Sequence, residues 1–70
     1  MADHYYVNDN AQWNSGDHEV HKDGCSYLTQ ARSKTYLGLF SPCGEAVTAA
    51  KRIYPDSNGC AYCVPACHTS

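Results

Sequence analysis

The distribution of apolar and polar positions predicts short strands in the first half of the chain and one helix in the second. Residues 5–7 are apolar or aromatic and favour a short strand, which an Asn- and Asp-rich loop follows. Residues 18–21 predict a second short strand that can pair with the first as a hairpin. Residues 27–28 predict another brief extended piece, and residues 35–40 have the β-branched and aromatic content of a buried strand.

One helix is predicted over about residues 42–54. Ser41 can cap free amides at its start, and Pro42 suits the first helical position because its missing N–H would be unpaired there. Pro55 ends the helix, and residues 56–59 form a turn that leads to Cys60. Apolar residues recur at three- and four-residue intervals and predict one face packed on the sheet: Cys43, Ala46, Val47, Ala50 and Ile53 or Tyr54.

These elements predict a small α+β domain in which a short antiparallel sheet packs against the helix. The chain has 70 residues and few large aliphatic side chains. A chain of this size buries only about 60% of the surface that it exposes when unfolded, so its core is thin. Small domains of this kind usually add disulfides or a structural metal, and five cysteines and four histidines are available here.

The cysteine count and the N-terminal sequence favour a metal over disulfides. The first residues show neither a basic stretch nor an apolar stretch typical of a secretion signal, so a cytoplasmic location without membrane insertion is expected. Disulfides are rare in that compartment. An odd number of cysteines also leaves one thiol unpaired in any complete disulfide scheme, although a disulfide-stapled miniprotein stays an alternative.

Two short-spaced pairs supply the candidate ligands of one Zn²⁺ ion. His21 and Cys25 form an HxxxC pair, and Cys60 and Cys63 form a CxxC pair, so each half of the chain presents two N or S donors from one turn. Gly24 and Gly59 directly precede Cys25 and Cys60. Glycines at such positions let the backbone bend closely around a metal and turn its amides toward thiolate sulfurs.

For four other residues, the sequence predicts a role less specifically. Cys67 and His68 are alternates that can replace one of the four ligands, and a frayed tail is the competing interpretation. Cys43 is expected to be a buried hydrophobic residue with a structural role on the helix face. Trp13 is expected to pack over an edge of the core, whereas an exposed Trp13 would suggest a binding surface.

Charge and motif content exclude several function classes. The net charge is −2, which argues against strong non-specific binding of nucleic acid. The CxxC pair lacks the long following helix of a thioredoxin-like site, because only seven residues follow Cys63. No Ser-His-Asp, paired-carboxylate or phosphate-loop arrangement is found, so no catalytic residue is assigned. Four protein ligands would also leave a zinc ion no open position for a substrate.

With these residues identified, the chain resembles the Ada-type metal-binding domains over residues 20–63. Those domains have an early ligand pair, a β-hairpin region, a helix with a Glu-Ala pattern, matched here by Glu45-Ala46, and a closing CxxC. The chain is also similar to small uncharacterised bacterial proteins that share these positions: Val20-His21, Gly24-Cys25, Tyr36-Leu37-Gly38, Phe40, Cys43, Ala46-Val47, Ala50-Lys51, Asn58-Gly59-Cys60, Tyr62-Cys63 and Cys67-His68.

The resemblance implies an Ada-like zinc-binding domain over residues 18–70, preceded by a partly ordered strand and polar loop over residues 1–17, within a single domain. In the Ada protein, the first cysteine of the early pair accepts a methyl group from a DNA phosphotriester. His21 occupies that position here, while Cys25 stays a possible zinc-bound nucleophile. We therefore expect a structural or interaction module with an unidentified protein or nucleic-acid partner, and a zinc-thiolate alkyl acceptor or DNA-associated protein as the alternative.

Overall fold

A four-stranded sheet and one α-helix form the fold in a computed structural model of the chain, which describes residues 2–13 and 15–69. The strands are β1 (Asp3–Asn8), β2 (His18–Lys22), β3 (Lys34–Phe40) and β4 (Ser57–Gly59), and the helix is α1 (Cys43–Ile53). The strand order across the sheet is β3-β1-β2-β4. The prediction of an α+β fold with one helix on a sheet is confirmed, and β1 occupies the interior of that sheet.

The sheet is mixed rather than wholly antiparallel. β1 pairs antiparallel with β2, which confirms the predicted hairpin, and it pairs antiparallel with β3 on its other side. β4 adds to the outer edge of β2 in parallel, with Val20 opposite Gly59. The sequence predicted only a turn over residues 56–59, because Ser57, Asn58 and Gly59 have no intrinsic preference for strands. Their extended conformation comes from pairing with β2.

The helix begins one residue later than predicted. Pro42 has an extended backbone conformation and is the N-terminal flanking residue of α1, and no side chain caps the helix there. The prediction that Ser41 caps the helix and that Pro42 is its first residue was therefore wrong. Glu45 lies in the first turn, and Lys51 and Arg52 lie in the last, so these charges complement the helix dipole.

The core lies between α1 and the sheet. Ala46 and Ala50 are the fully buried residues of the helix, and Val7 and Val20 oppose them from the two central strands. Tyr54 is half-buried, whereas Ile53 is exposed. The larger members of the core come from β1, from a 3₁₀ turn over Leu28–Gln30 and from the C-terminal segment: Tyr5, Leu28 and Val64. Residues 27–28 were wrongly predicted to be extended.

A disulfide joins Cys43 at the start of α1 to Cys67 near the C-terminus. The expectation that Cys43 is only a buried hydrophobic residue was therefore wrong. The preference for a metal over disulfides, drawn from the sequence, also missed this bond. The link fastens the C-terminal 3₁₀ turn, Pro65–Cys67, to the helix. Sequence alone could not pair these two cysteines because five cysteines permit many connectivities.

Two further findings concern the exposure of Trp13 and the apolar character of the helices. Trp13 is 96% exposed, so the prediction that it packs over the core was wrong. Among the described residues, none of the helices combines the length and apolar character that crossing a bilayer requires.

Candidate metal centre

Four donor side chains from three parts of the chain converge on one point. His21 belongs to β2, Cys25 follows that strand, and Cys60 and Cys63 follow β4. One ligand atom from each residue lies within 4.8 Å of all the others. The strands bring them together because β2 and β4 are parallel neighbours, so the loops that leave their C-terminal ends meet at the same end of the sheet.

His21 directs its Nδ1 atom toward the sulfurs. That nitrogen lies 3.6 Å from the Cys25 Sγ and 3.7 Å from the Cys63 Sγ. The other ring nitrogen, Nε2, lies 3.7 Å from the Glu19 Oε1, which is longer than a hydrogen bond. The side chain is 1% exposed, and burial lowers the pKa of His21. The imidazole is therefore neutral at neutral pH, the protonation state in which its nitrogen can bind a metal.

The separations match what a tetrahedral metal site requires. With metal–sulfur bonds of about 2.3 Å and metal–nitrogen bonds of about 2.0 Å, tetrahedral geometry places sulfurs about 3.8 Å apart and nitrogen about 3.5 Å from sulfur. The two measured nitrogen–sulfur distances agree with that value to about 0.2 Å. The largest separation, at most 4.8 Å, needs only a contraction of about 1 Å. The four residues are thus positioned to hold a metal ion.

The first loop is shaped by Gly24 and by backbone hydrogen bonds. Gly24 has a φ of +88°, a left-handed conformation that a side chain would strain, and the Cys25 N–H donates to the Lys22 carbonyl at 3.1 Å. Burial alone would raise the pKa of the Cys25 thiol, but hydrogen bonds from the Cys63 thiol and from the Tyr27 backbone N–H lower it. The Cys63 thiol of the second loop and the backbone of the first loop therefore both favour a thiolate at Cys25.

The second loop carries the other two sulfurs. The Cys60 N–H extends the β2–β4 ladder by donating to the Val20 carbonyl at 2.9 Å, and the Val64 N–H closes a turn on the Cys60 carbonyl at 2.9 Å. The Lys22 N–H, at the end of β2, donates to the Cys63 Sγ at 3.4 Å, so the second loop contacts the end of that strand. Burial, followed by the hydrogen bond to Cys25, raises the pKa of Cys63 to about 12.

Gly59 is required for a close approach of the C-terminal segment. A Cβ atom at this position would lie 2.9 Å from the backbone carbon and oxygen of Cys67 and 3.1 Å from the Val64 oxygen. The His68 Nδ1 is also 2.9 Å from the Gly59 carbonyl oxygen, so it donates a hydrogen bond there. The segment that carries the disulfide is therefore packed directly on the strand that delivers Cys60.

The two alternate ligands have other partners in the structure. Cys67 is bonded to Cys43 and offers no free thiol, and His68 contacts the Gly59 backbone. Cys25, Cys60 and Cys63 are free thiols. Two neighbours of the candidate donors were missed in the sequence. Glu19 lies on the same side of β2 as His21, as the two-residue strand period requires, and the Lys22 backbone N–H contacts the Cys63 sulfur. The strand period could have identified Glu19.

Comparisons with protein-family models, with curated proteins and with solved structures found no match to this chain.

Proposed function

We propose that this chain is a small zinc-binding structural module that presents an interaction surface. The observation that carries the proposal is the convergence of His21 Nδ1 and three free sulfurs from two separate loops at near-tetrahedral spacing. Three sulfurs and one imidazole nitrogen are a donor set that Zn²⁺ favours, and hard cations such as Mg²⁺ and Ca²⁺ prefer oxygen donors.

A structural role fits the site better than hydrolysis. All four donors come from the protein, and closed four-ligand zinc sites have no position for an activated water. His21, Cys25 and Cys60 are also buried, at 1%, 8% and 1% exposure. The free energy of zinc binding is available to the fold, because the two loops that the ion would join are far apart in the sequence.

Metal titration of the reduced, chelator-treated protein tests this function. Native mass spectrometry is expected to show one zinc ion per chain, and Co²⁺ substitution is expected to give the intense visible absorption of a tetrahedral thiolate site. Amide spectra should gain dispersion as zinc is added. Zinc binding with no preference over Mg²⁺, or a stoichiometry that survives loss of Cys60, would contradict the proposal.

A zinc-thiolate alkyl acceptor is the second candidate, and the Ada-type resemblance suggests it. The observation that favours it is the partial exposure of Cys63, which is half-buried whereas Cys25 and Cys60 are buried. Methyl transfer would form a carbon–sulfur bond and release a phosphodiester from a methyl phosphotriester. Incubation of the zinc-loaded protein with methylphosphotriester DNA, followed by intact-mass measurement, tests it: a stoichiometric gain of one methyl group supports this candidate, and an unchanged mass contradicts it.

A further inference from the structure

The two metal-binding loops each present an exposed tyrosine, and the two rings are stacked. Tyr27 follows Cys25 by two residues, and Tyr62 lies between Cys60 and Cys63. The ring centroids are 4.6 Å apart with an angle of 21° between the planes. Tyr27 is 41% exposed and Tyr62 is 73% exposed. The pair therefore bridges the two loops on the outside of the candidate metal centre.

We propose that this tyrosine pair is a docking surface for an arginine side chain of a protein partner. The inference rests on the proposed zinc module, because the ion would fix the two loops that carry the rings. The core of this small chain does contain a tyrosine, because Tyr5 is buried there. Tyr62 instead leaves most of its ring in contact with solvent, so one face is open to a ligand.

The charges of the two segments that carry the pair favour a cationic ligand. Three thiolates and one neutral imidazole around a divalent ion would give the candidate site one net negative charge. Asp23 is exposed in the first loop, and Glu19 lies beside His21. Lys22 is the one Lys or Arg within residues 19–27, and residues 53–69 contain none. Electrostatic complementarity therefore selects a positive group.

Arginine fits this surface better than the alternatives. A guanidinium group is planar and weakly hydrated, so it stacks on an aromatic face and keeps its N–H donors free for hydrogen-bond acceptors. A nucleobase can also stack on tyrosine, but its phosphates require cations, and this end of the molecule has few. Tyrosine and arginine are moreover the residues that most often carry the binding energy of protein interfaces.

Titration of the zinc-loaded protein with short blocked peptides tests the inference. The probe is acetyl-Gly-Arg-Gly-Arg-Gly-amide, and the matched neutral peptide has citrulline in place of both arginines. The arginine peptide is expected to shift the ring-proton signals of Tyr27 and Tyr62. These shifts should be larger than those of Tyr36, which is 51% exposed elsewhere on the sheet. The citrulline peptide should bind more weakly, and added salt should reduce arginine binding.

Variants locate the contact. Tyr62→Leu is expected to weaken binding of the arginine peptide about twofold to fivefold, Tyr62→Phe to retain it because the aromatic face remains, and Tyr36→Leu to leave it unchanged. Native mass spectrometry of each variant verifies that one zinc ion is bound. Equal binding of the citrulline peptide, an unchanged affinity in Tyr62→Leu, or tighter binding of an oligothymidylate would overturn the inference alone. A wild-type chain that binds no zinc would overturn the proposed function and this inference with it.

Discussion

At each end of the sheet, polar side chains from distant parts of the chain converge, but their partners differ. At one end, Asp9 follows β1, and its carboxylate accepts hydrogen bonds from the hydroxyls of Ser33, Thr35 and Tyr54 at 2.6, 2.6 and 3.0 Å. At the other end, His21 and three thiols converge with separations of up to 4.8 Å. The Asp9 carboxylate has its hydrogen-bond partners within the chain, whereas the four donors at the cysteine end are positioned to hold a metal ion.

This difference indicates which end of the sheet is the candidate for metal-dependent stability. Around Asp9, loop-closing contacts join β1, the segment before β3 and the end of α1, and the His18 ring stacks on Tyr54 with centroids 3.9 Å apart. Around the cysteines, the corresponding contacts are long thiol and imidazole interactions. We therefore expect the two ends to respond differently to removal of metal, to loss of the disulfide, to a bulkier residue at Gly59 and to acid.

Removal of zinc should have the largest effect. Structural zinc supplies about 10–16 kcal/mol in finger peptides, which exceeds the stability of a domain this small. Chelation with the Cys43–Cys67 disulfide intact, or Cys60→Ser, is expected to unfold the loops around residues 23–27 and 60–64 and to lower the free energy of unfolding severely. Hydrogen exchange with residue-level resolution should show the loss beginning at the cysteine end. A metal-free protein with full amide dispersion would contradict the prediction.

The convergence of the four candidate donors was predictable because its signal is local. HxxxC and CxxC place two donors each in short loops, and Gly24 and Gly59 mark the bends beside Cys25 and Cys60. The hairpin, the strand over residues 34–40 and the helix were predictable from local patterns in the same way. The expectation that this strand is buried was wrong, because β3 lies at an edge of the sheet and none of its residues is buried. None of these inferences needs information about contacts between distant residues.

The features that were missed depend on distant contacts. β4 exists through its pairing with β2, since Ser57, Asn58 and Gly59 have little strand preference of their own. The bond between Cys43 and Cys67 depends on the C-terminal segment folding back over Gly59. Asp9 was assigned to a loose polar loop because the hydroxyls that it binds lie 24 to 45 residues away.

Loss of the disulfide should have the next largest effect. The bond closes a loop with a sequence separation of 24. A disulfide that closes a loop of this size stabilises the folded state by about 3 kcal/mol. The double variant Cys43→Ala/Cys67→Ala is expected to lower the urea midpoint by a corresponding amount. It should still bind one zinc ion, because neither residue belongs to the cluster of four. Loss of zinc stoichiometry in this variant would show that the disulfide and the metal centre are one unit.

A matched pair of glycine substitutions tests the packing beside the metal centre. Gly59→Ala would place a Cβ atom 2.9 Å from the Cys67 backbone and is expected to cost about 1–3 kcal/mol, because two backbone segments must separate. Gly44→Ala in α1 meets nothing within 4 Å and is expected to stabilise by up to about 1 kcal/mol through helix propensity. Urea unfolding of both zinc-loaded variants measures the contrast. A similar effect of the two substitutions would contradict the packing argument.

Acid should produce the smallest of these effects, at the end that needs no metal. Hydrogen bonds from the Ser33 and Thr35 hydroxyls lower the pKa of Asp9, and the Tyr54 hydroxyl adds to them. Because the folded-state pKa is below the unfolded value of about 3.9, this group stabilises the fold above pH 4 or so and loses that contribution as pH falls through its folded pKa. The effect is small because these partners lie near the surface, where water screens the charge. Carbon-detected NMR titration of the carboxyl groups should give Asp9 a pKa below the ordinary aspartate value, and Asp9→Asn should flatten the acid limb of the stability curve without changing zinc stoichiometry. An Asp9 that titrates at the ordinary aspartate value would remove the contrast between the two ends of the sheet.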